Sequence, residues 1–132
     1  MDNGKKKVAE VHAEIVVDLK QENVDDIMVC ALEGGVTAYW CRRCEVIGGE
    51  YLGEYASEQI SRGGSLRFYD AESDDTWDLD LEKFVQGFRL WLENGGDVYG
   101  AVSKLGVDTG EIDAEAADCI IQYALFGEVV FG

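Results

Sequence analysis

Polar and apolar residues alternate from Val8 to Leu19, with Val11, Ala13, Ile15 and Val17 on one parity and His12, Glu14 and Asp18 on the other. That period predicts a half-buried N-terminal strand. At Asn23 the period changes. Val24, Ile27, Met28 and Ala31 recur at helical spacing, so a helix is expected over 23–33, capped by Asn23 and stopped at Gly34-Gly35. Thr37–Ile47 reads as extended or irregular, and Tyr51–Ser61 as a short helix closed by Gly63-Gly64. Ser65–Tyr69 and Thr76–Leu79 form the two arms of a hairpin across 65–79, with Trp77 and Leu79 facing one way and Asp78 the other. Leu81, Phe84, Val85, Phe88, Trp91 and Leu92 make a wide apolar stripe on a helix over 80–93, capped by Asp80. A last helix over 113–126 starts at Asp113, turns Ala117, Ile120, Ile121, Ala124 and Leu125 inward and stops at Gly127. Asp97–Ile112 reads as one helical turn plus loop, and Glu128–Phe131 as a short apolar tail forming an edge strand.

The elements mix without a βαβ rhythm. The expected fold is therefore α+β: a small antiparallel sheet, made of the N-terminal strand and the 65–79 hairpin, packed with about three helices. A chain of 132 residues makes one domain over 1–132, with 1–7 a polar lead-in. Its apolar runs are too short to span a membrane, and Glu10, His12, Glu14 and Asp18 break the run that a secretory leader would need after Lys5–Lys7. Four cysteines in this setting suggest reduced thiols, hence a cytoplasmic location.

Charge alters this ordinary picture. There are 27 acidic residues against 11 basic ones, a net charge of −16. Residues 1–20 are balanced, so the excess lies after Lys20. It is densest from Asp70 to Glu82, where Asp70, Glu72, Asp74, Asp75, Asp78, Asp80 and Glu82 crowd together. All but Asp75 share one parity, and in an extended chain they would stand about 6.6–6.8 Å apart, two strand rises. Phosphates along a DNA strand are spaced similarly. Such a row suits a groove built for nucleic acid. Asp108, Glu111, Asp113, Glu115 and Asp118 form a second acidic cluster. A field of this sign repels nucleic acid and anionic membrane and attracts basic proteins.

Catalytic chemistry finds little support. Trp40-Cys41-Arg42-Arg43-Cys44 has the W-C-x-x-C spacing of thioredoxin-like redox sites. A reactive thiolate there needs a helix N-terminus, and such sites also use a cis-proline, which this chain lacks entirely. Zinc would need two close ligand pairs; beyond Cys41 and Cys44, the residues Cys30, Cys119 and His12 stand isolated. His12 sits between Glu10 and Glu14, no serine lies in a G-x-S-x-G elbow, and the acidic run lacks the EF-hand glycine spacing. No enzyme, cofactor or metal site is expected.

Several blocks carry a resemblance. Ala31-Leu32-Glu33-Gly34-Gly35, Tyr39-Trp40-Cys41, Tyr51 through Gly64, Ile112 through Asp118 and Tyr123 through Gly127 resemble small acidic proteins carried by phages, prophages and other mobile elements of gut bacteria. They are similar to proteins placed among the anti-CRISPR inhibitors of Cas9-type nucleases. The resemblance implies a binding protein whose partner is a basic, nucleic-acid-binding nuclease of a host defence system. In the central block, Tyr51, Tyr55, Gln59 and Arg62 fall on one side of the expected helix and Leu52, Ala56 and Ile60 on another. Tyr51, Tyr55 and Arg62 then act as interface anchors, or the tyrosines complete the core and Arg62 pairs with a local acid. Two other functions stay open: a phage assembly accessory self-associating through Val129-Val130-Phe131, and a thiol or zinc protein using Cys41 and Cys44.

Overall fold

The computed structural model describes residues 3–12, 16–37, 39–97, 100–103 and 106–132. Helix α1 spans Gln21–Cys30 and buries Val24, Ile27 and Met28. It begins before Asn23, which therefore does not cap it. Lys20 is the extended residue at the helix entrance, and the Asn23 side chain reaches back to accept from the Lys20 amide at 2.9 Å. An amide at the third helical position thus satisfies an orphan N–H from inside the helix. The same side chain donates to the Val107 carbonyl at 3.3 Å, and that tertiary bond explains why a residue read as a surface cap is buried.

α1 widens into a π-type turn over Ala31–Gly35, where the Val36 amide donates to the Ala31 carbonyl at 2.8 Å. Strand β1 (Cys41–Val46) follows, then β2 (Leu66–Asp70) and β3 (Thr76–Leu79). They form one antiparallel sheet in the order β1-β2-β3, with Val46, Leu66 and Leu79 in register and Phe68 opposite both Cys44 and Trp77.

The fold is α+β with the expected hairpin, but its third strand is not the N-terminal one. Residues 8–12 and 16–19 form no strand, and Val8, Val11 and Val16 are 92%, 87% and 95% exposed. Ala13, Glu14 and Ile15 lie outside the described residues. Alternation supplies an apolar face but does not choose the strand's partner, and among the described residues the outer edges of β1 and β3 stay unpaired. The edge of β2 is taken by β1, which the turn after α1 delivers through bonds from the Tyr39 and Cys41 amides to the Val36 carbonyl.

Asp80 caps α2 (Leu81–Glu93) by accepting from the Lys83 amide at 2.9 Å, and Asp113 caps α3 (Ala114–Phe126) by accepting from Ala116 at 2.8 Å. Gly127 ends α3 at φ 75°, a left-handed conformation that favours glycine. α2 lies on α3 at Gly87, which meets Ala124. Between them runs a two-strand hairpin, β4 (Val102–Ser103) and β5 (Gly106–Val107), and a 3-10 turn at Thr109–Glu111, where loop and one helical turn were expected. The buried apolar side chains of α1, the sheet, α2 and α3 join in one cluster.

Candidate partner-binding surface

The acidic run folds back on itself at the β2–β3 turn, so its carboxylates do not form a row. Three of the seven hold the structure. Asp70 ends β2, accepts from the Ser73 hydroxyl at 2.5 Å and the Glu72 amide at 3.3 Å, and so fastens the turn. The Ser73 hydroxyl holds its carboxyl below the usual carboxylate range. Asp78 takes a two-pronged contact from Arg67 across the hairpin, at 2.8 and 3.1 Å, and that hydrogen bonding lowers its pKa likewise. Asp80 is the helix cap. The other four, Glu72, Asp74, Asp75 and Glu82, are exposed, and their carboxylates have no hydrogen-bond or ion-pair partner among the described residues. The turn thus presents Glu72, Asp74 and Asp75 on a braced scaffold, while Glu82 stands beyond β3 in the first turn of α2.

The basic side chains nearby do little to offset it. Arg62, Arg67 and Arg89 are each paired with acids, and Lys83 donates to the Asp78 carbonyl. Arg42 and Arg43 lie 5.5 and 4.1 Å from the centre of the Tyr69 ring. An irregularity in the β1–β2 register between Cys41 and Arg43 puts both on that ring.

The central block is not the helix its spacing suggested. It is a loop with a single 3-10 turn at Ala56–Glu58. Buried Gln59 explains the difference: its Oε1 accepts from the Leu52 amide at 3.0 Å and its Nε2 donates to the Glu50 carbonyl at 3.2 Å. Glu58 accepts from the amides of Glu54 and Tyr55, both at 3.0 Å. Side chains therefore take the backbone groups that a helix would have used. Pinned this way, the loop holds Tyr51, Leu52 and Tyr55 at 55%, 46% and 61% exposure. The tyrosines are surface residues, not core. Arg62 pairs with Glu58 at 3.2 Å and Asp25 at 3.6 Å, so it braces the loop instead of standing out as an anchor.

The thiols are placed poorly for redox work. Cys41 opens a strand, not a helix, and is buried; Cys44 is half-buried on the same strand. Burial pushes both thiols up, Cys44 far above any working pH. Among the described residues no group of three or more His, Cys, Asp or Glu side chains is arranged to hold a metal ion. His12 is exposed outside any strand.

The C-terminal tail, expected as an edge strand or a self-association patch, is bound within the chain. Phe131 stacks on Trp40 with ring centres 5.2 Å apart, in a cluster completed by Phe68, Trp77 and Phe126. Fully buried Gln122 accepts from the amides of Val130 and Phe131 at 2.9 and 2.8 Å and donates to the Phe131 carbonyl at 3.1 Å. Its amide also donates to Asp118, which accepts from the Trp40 indole at 2.6 Å. Of the second acidic cluster, Asp118 is therefore buried, while Asp108 and Asp113 cap turns.

Comparison with protein-family models, characterised proteins and solved structures finds no match for the chain. No helix of the described residues is long and apolar enough to cross a membrane. The site rests on its own geometry: three carboxylates without a partner among the described residues on a braced turn, a fourth, Glu82, at the start of α2, and exposed tyrosines on a pinned loop.

Proposed function

We propose that this protein is a stoichiometric binder of a basic, nucleic-acid-binding protein, of the kind implied by the resemblance to mobile-element inhibitors of Cas9-type nucleases. The observation that carries the reading is the unpaired group Glu72, Asp74 and Asp75 on a turn that Asp70, Ser73 and the Asp78–Arg67 pair keep in shape, with Glu82 exposed in the first turn of α2 beyond β3. The channels of such nucleases are lined by Lys and Arg that hold nucleic-acid backbones. Carboxylates fixed on a scaffold compete for those side chains without the ordering cost that a flexible acidic tail incurs. The displaced-row form of mimicry has no support in the folded hairpin; local density of charge takes its place. Tyr51 and Tyr55 supply the amphipathic contact area typical of interface centres.

The test is capture of a purified, guide-loaded Cas9-type nuclease at two salt concentrations. Affinity should fall by on the order of tenfold or more between low and moderate salt, mainly through the association rate. Neutralising Glu72, Asp74, Asp75 and Glu82 together to amides should weaken capture while leaving thermal stability intact. Salt-independent capture would sink the electrostatic reading.

A further inference from the structure

Where the end of α2 meets α3 and the Thr109–Glu111 turn there is a cavity of about 350 Å³ whose walls include Trp91, Asp97, Glu111, Asp113, Glu115 and Tyr123. That is the small end of the ~300–1,000 Å³ range of ligand sites, suited to one side chain with its backbone. Two of the carboxylates are committed to the fold. Asp97 accepts from the Ala101 and Val102 amides at 2.8 and 3.0 Å, and Asp113 caps α3. Glu111 and Glu115 are exposed and have no partner among the described residues.

Trp91 provides an independent indication of a ligand. It is only 3% exposed, and its indole N–H donates to no group of the described residues. Yet no side-chain nitrogen or oxygen sealed from solvent lacks a partner. The N–H therefore keeps access to solvent, and Trp91 lines the cavity. The indole N–H of a largely buried tryptophan ordinarily finds an acceptor, and this one has none among the described residues.

The guest must bring an acceptor for Trp91 and a cation for Glu111 and Glu115. A nucleotide fails on the second count and a bare metal ion on the first. An arginine within a polypeptide meets both, because its carbonyl accepts while its guanidinium, weakly hydrated and planar, suits carboxylates and aromatic walls together. We propose that this cavity is a socket for an arginine side chain of the partner, with the guanidinium between Glu111 and Glu115 and a backbone carbonyl on the Trp91 N–H. The assignment rests on the basic-partner reading above and adds to it a defined point of contact.

The full chain, labelled with ¹⁵N, is titrated with N-acetyl-argininamide and, separately, with the neutral isostere N-acetyl-citrullinamide. The Trp91 indole signal should move with the arginine derivative and not with the citrulline one, while those of Trp40 and Trp77 stay in place. Glu111→Gln with Glu115→Gln, both at exposed positions, should weaken that response roughly tenfold, the equivalent of two exposed charge pairs. No shift at ~10 mM, where a millimolar complex would be mostly formed, overturns the socket. So does an equal response to the citrulline derivative, or an undiminished one in the double variant. If the double variant still captures the nuclease with full affinity and salt sensitivity, the socket falls and the basic-partner reading stands. If the wild type captures no basic protein but its Trp91 signal still answers argininamide, the reverse holds.

Discussion

A methyl group on Gly87 would lie 2.5 Å from the Ala124 side chain and 2.6 Å from both the Ala124 nitrogen and the Ile120 carbonyl. Two of those three neighbours are backbone, so they cannot swing aside. Gly87→Ala should therefore destabilise the protein by about 1–3 kcal/mol through overpacking, despite the ~1 kcal/mol that alanine gains over glycine in a helix. A lower denaturant midpoint with an unchanged slope would show it. At this scale, local chemistry was readable: Asp80, Asp113 and Gly127 act as cap or stop because their partners sit within a few positions. Asn23, Gln59, Asp118 and Gln122 were not. Their bonds reach Val107, Glu50, Trp40 and Phe131, and nothing in the neighbouring sequence announces such partners. The one available signal was the presence of polar side chains on otherwise apolar helix faces.

Among elements, the β2–β3 hairpin should be sensitive to acid. Asp78 and Asp70 titrate below the usual carboxylate range in the folded chain, through Arg67 and Ser73 respectively. Their contribution is therefore present above the ordinary carboxylate pKa near ~4 and is lost as pH falls through the folded values. Both groups are half-exposed and screened by solvent, so the effect is local loosening, not collapse. Amide exchange across Arg67–Asp70 should accelerate below that range relative to α2, and Asp78→Asn should remove most of the difference. The C-terminal tail depends on a different device. Gln122→Ala leaves the Val130 and Phe131 amides without their acceptor and should cost about 1–3 kcal/mol, given ~0.5–1.5 kcal/mol for each hydrogen bond lost at these half-exposed amides. Loss of near-ultraviolet dichroism from Trp40 and Trp77 would accompany it. Three helices and the hairpin were evident because their periodicity is strong. The N-terminal alternation was as clear, but periodicity is silent on which strand wins a sheet edge, and the tyrosine loop kept helical spacing while Gln59 and Glu58 took up its backbone.

The molecule as a whole carries −16 at neutral pH, a field that opposes its own compaction. Salt shortens the screening length from ~30 Å at 0.01 M to ~8 Å at 0.15 M. Thermal stability should rise over that interval, while capture of a basic partner weakens. Parallel scanning calorimetry and binding measurements would test the pair; movement in the same direction would mean that the surface field does not govern association. The sign of the surface field was legible from composition alone. The cavity was not, since Trp91, Glu111 and Glu115 come to line it only when α2, the 3-10 turn and α3 pack.

The clamp on the tail also dictates an order of events. Tyr39 bonds to Gly132 across 93 positions, and Trp40 beside it stacks on Phe131. Contacts so distant in sequence form late and slow folding. α1, the sheet and α2 can assemble from earlier sequence, but the central aromatic cluster must wait for Phe126 and Phe131. Until then Trp40 and Trp77 have only Phe68 and each other, and the face that Phe126 and Phe131 cover is completed only after α3 and the tail dock.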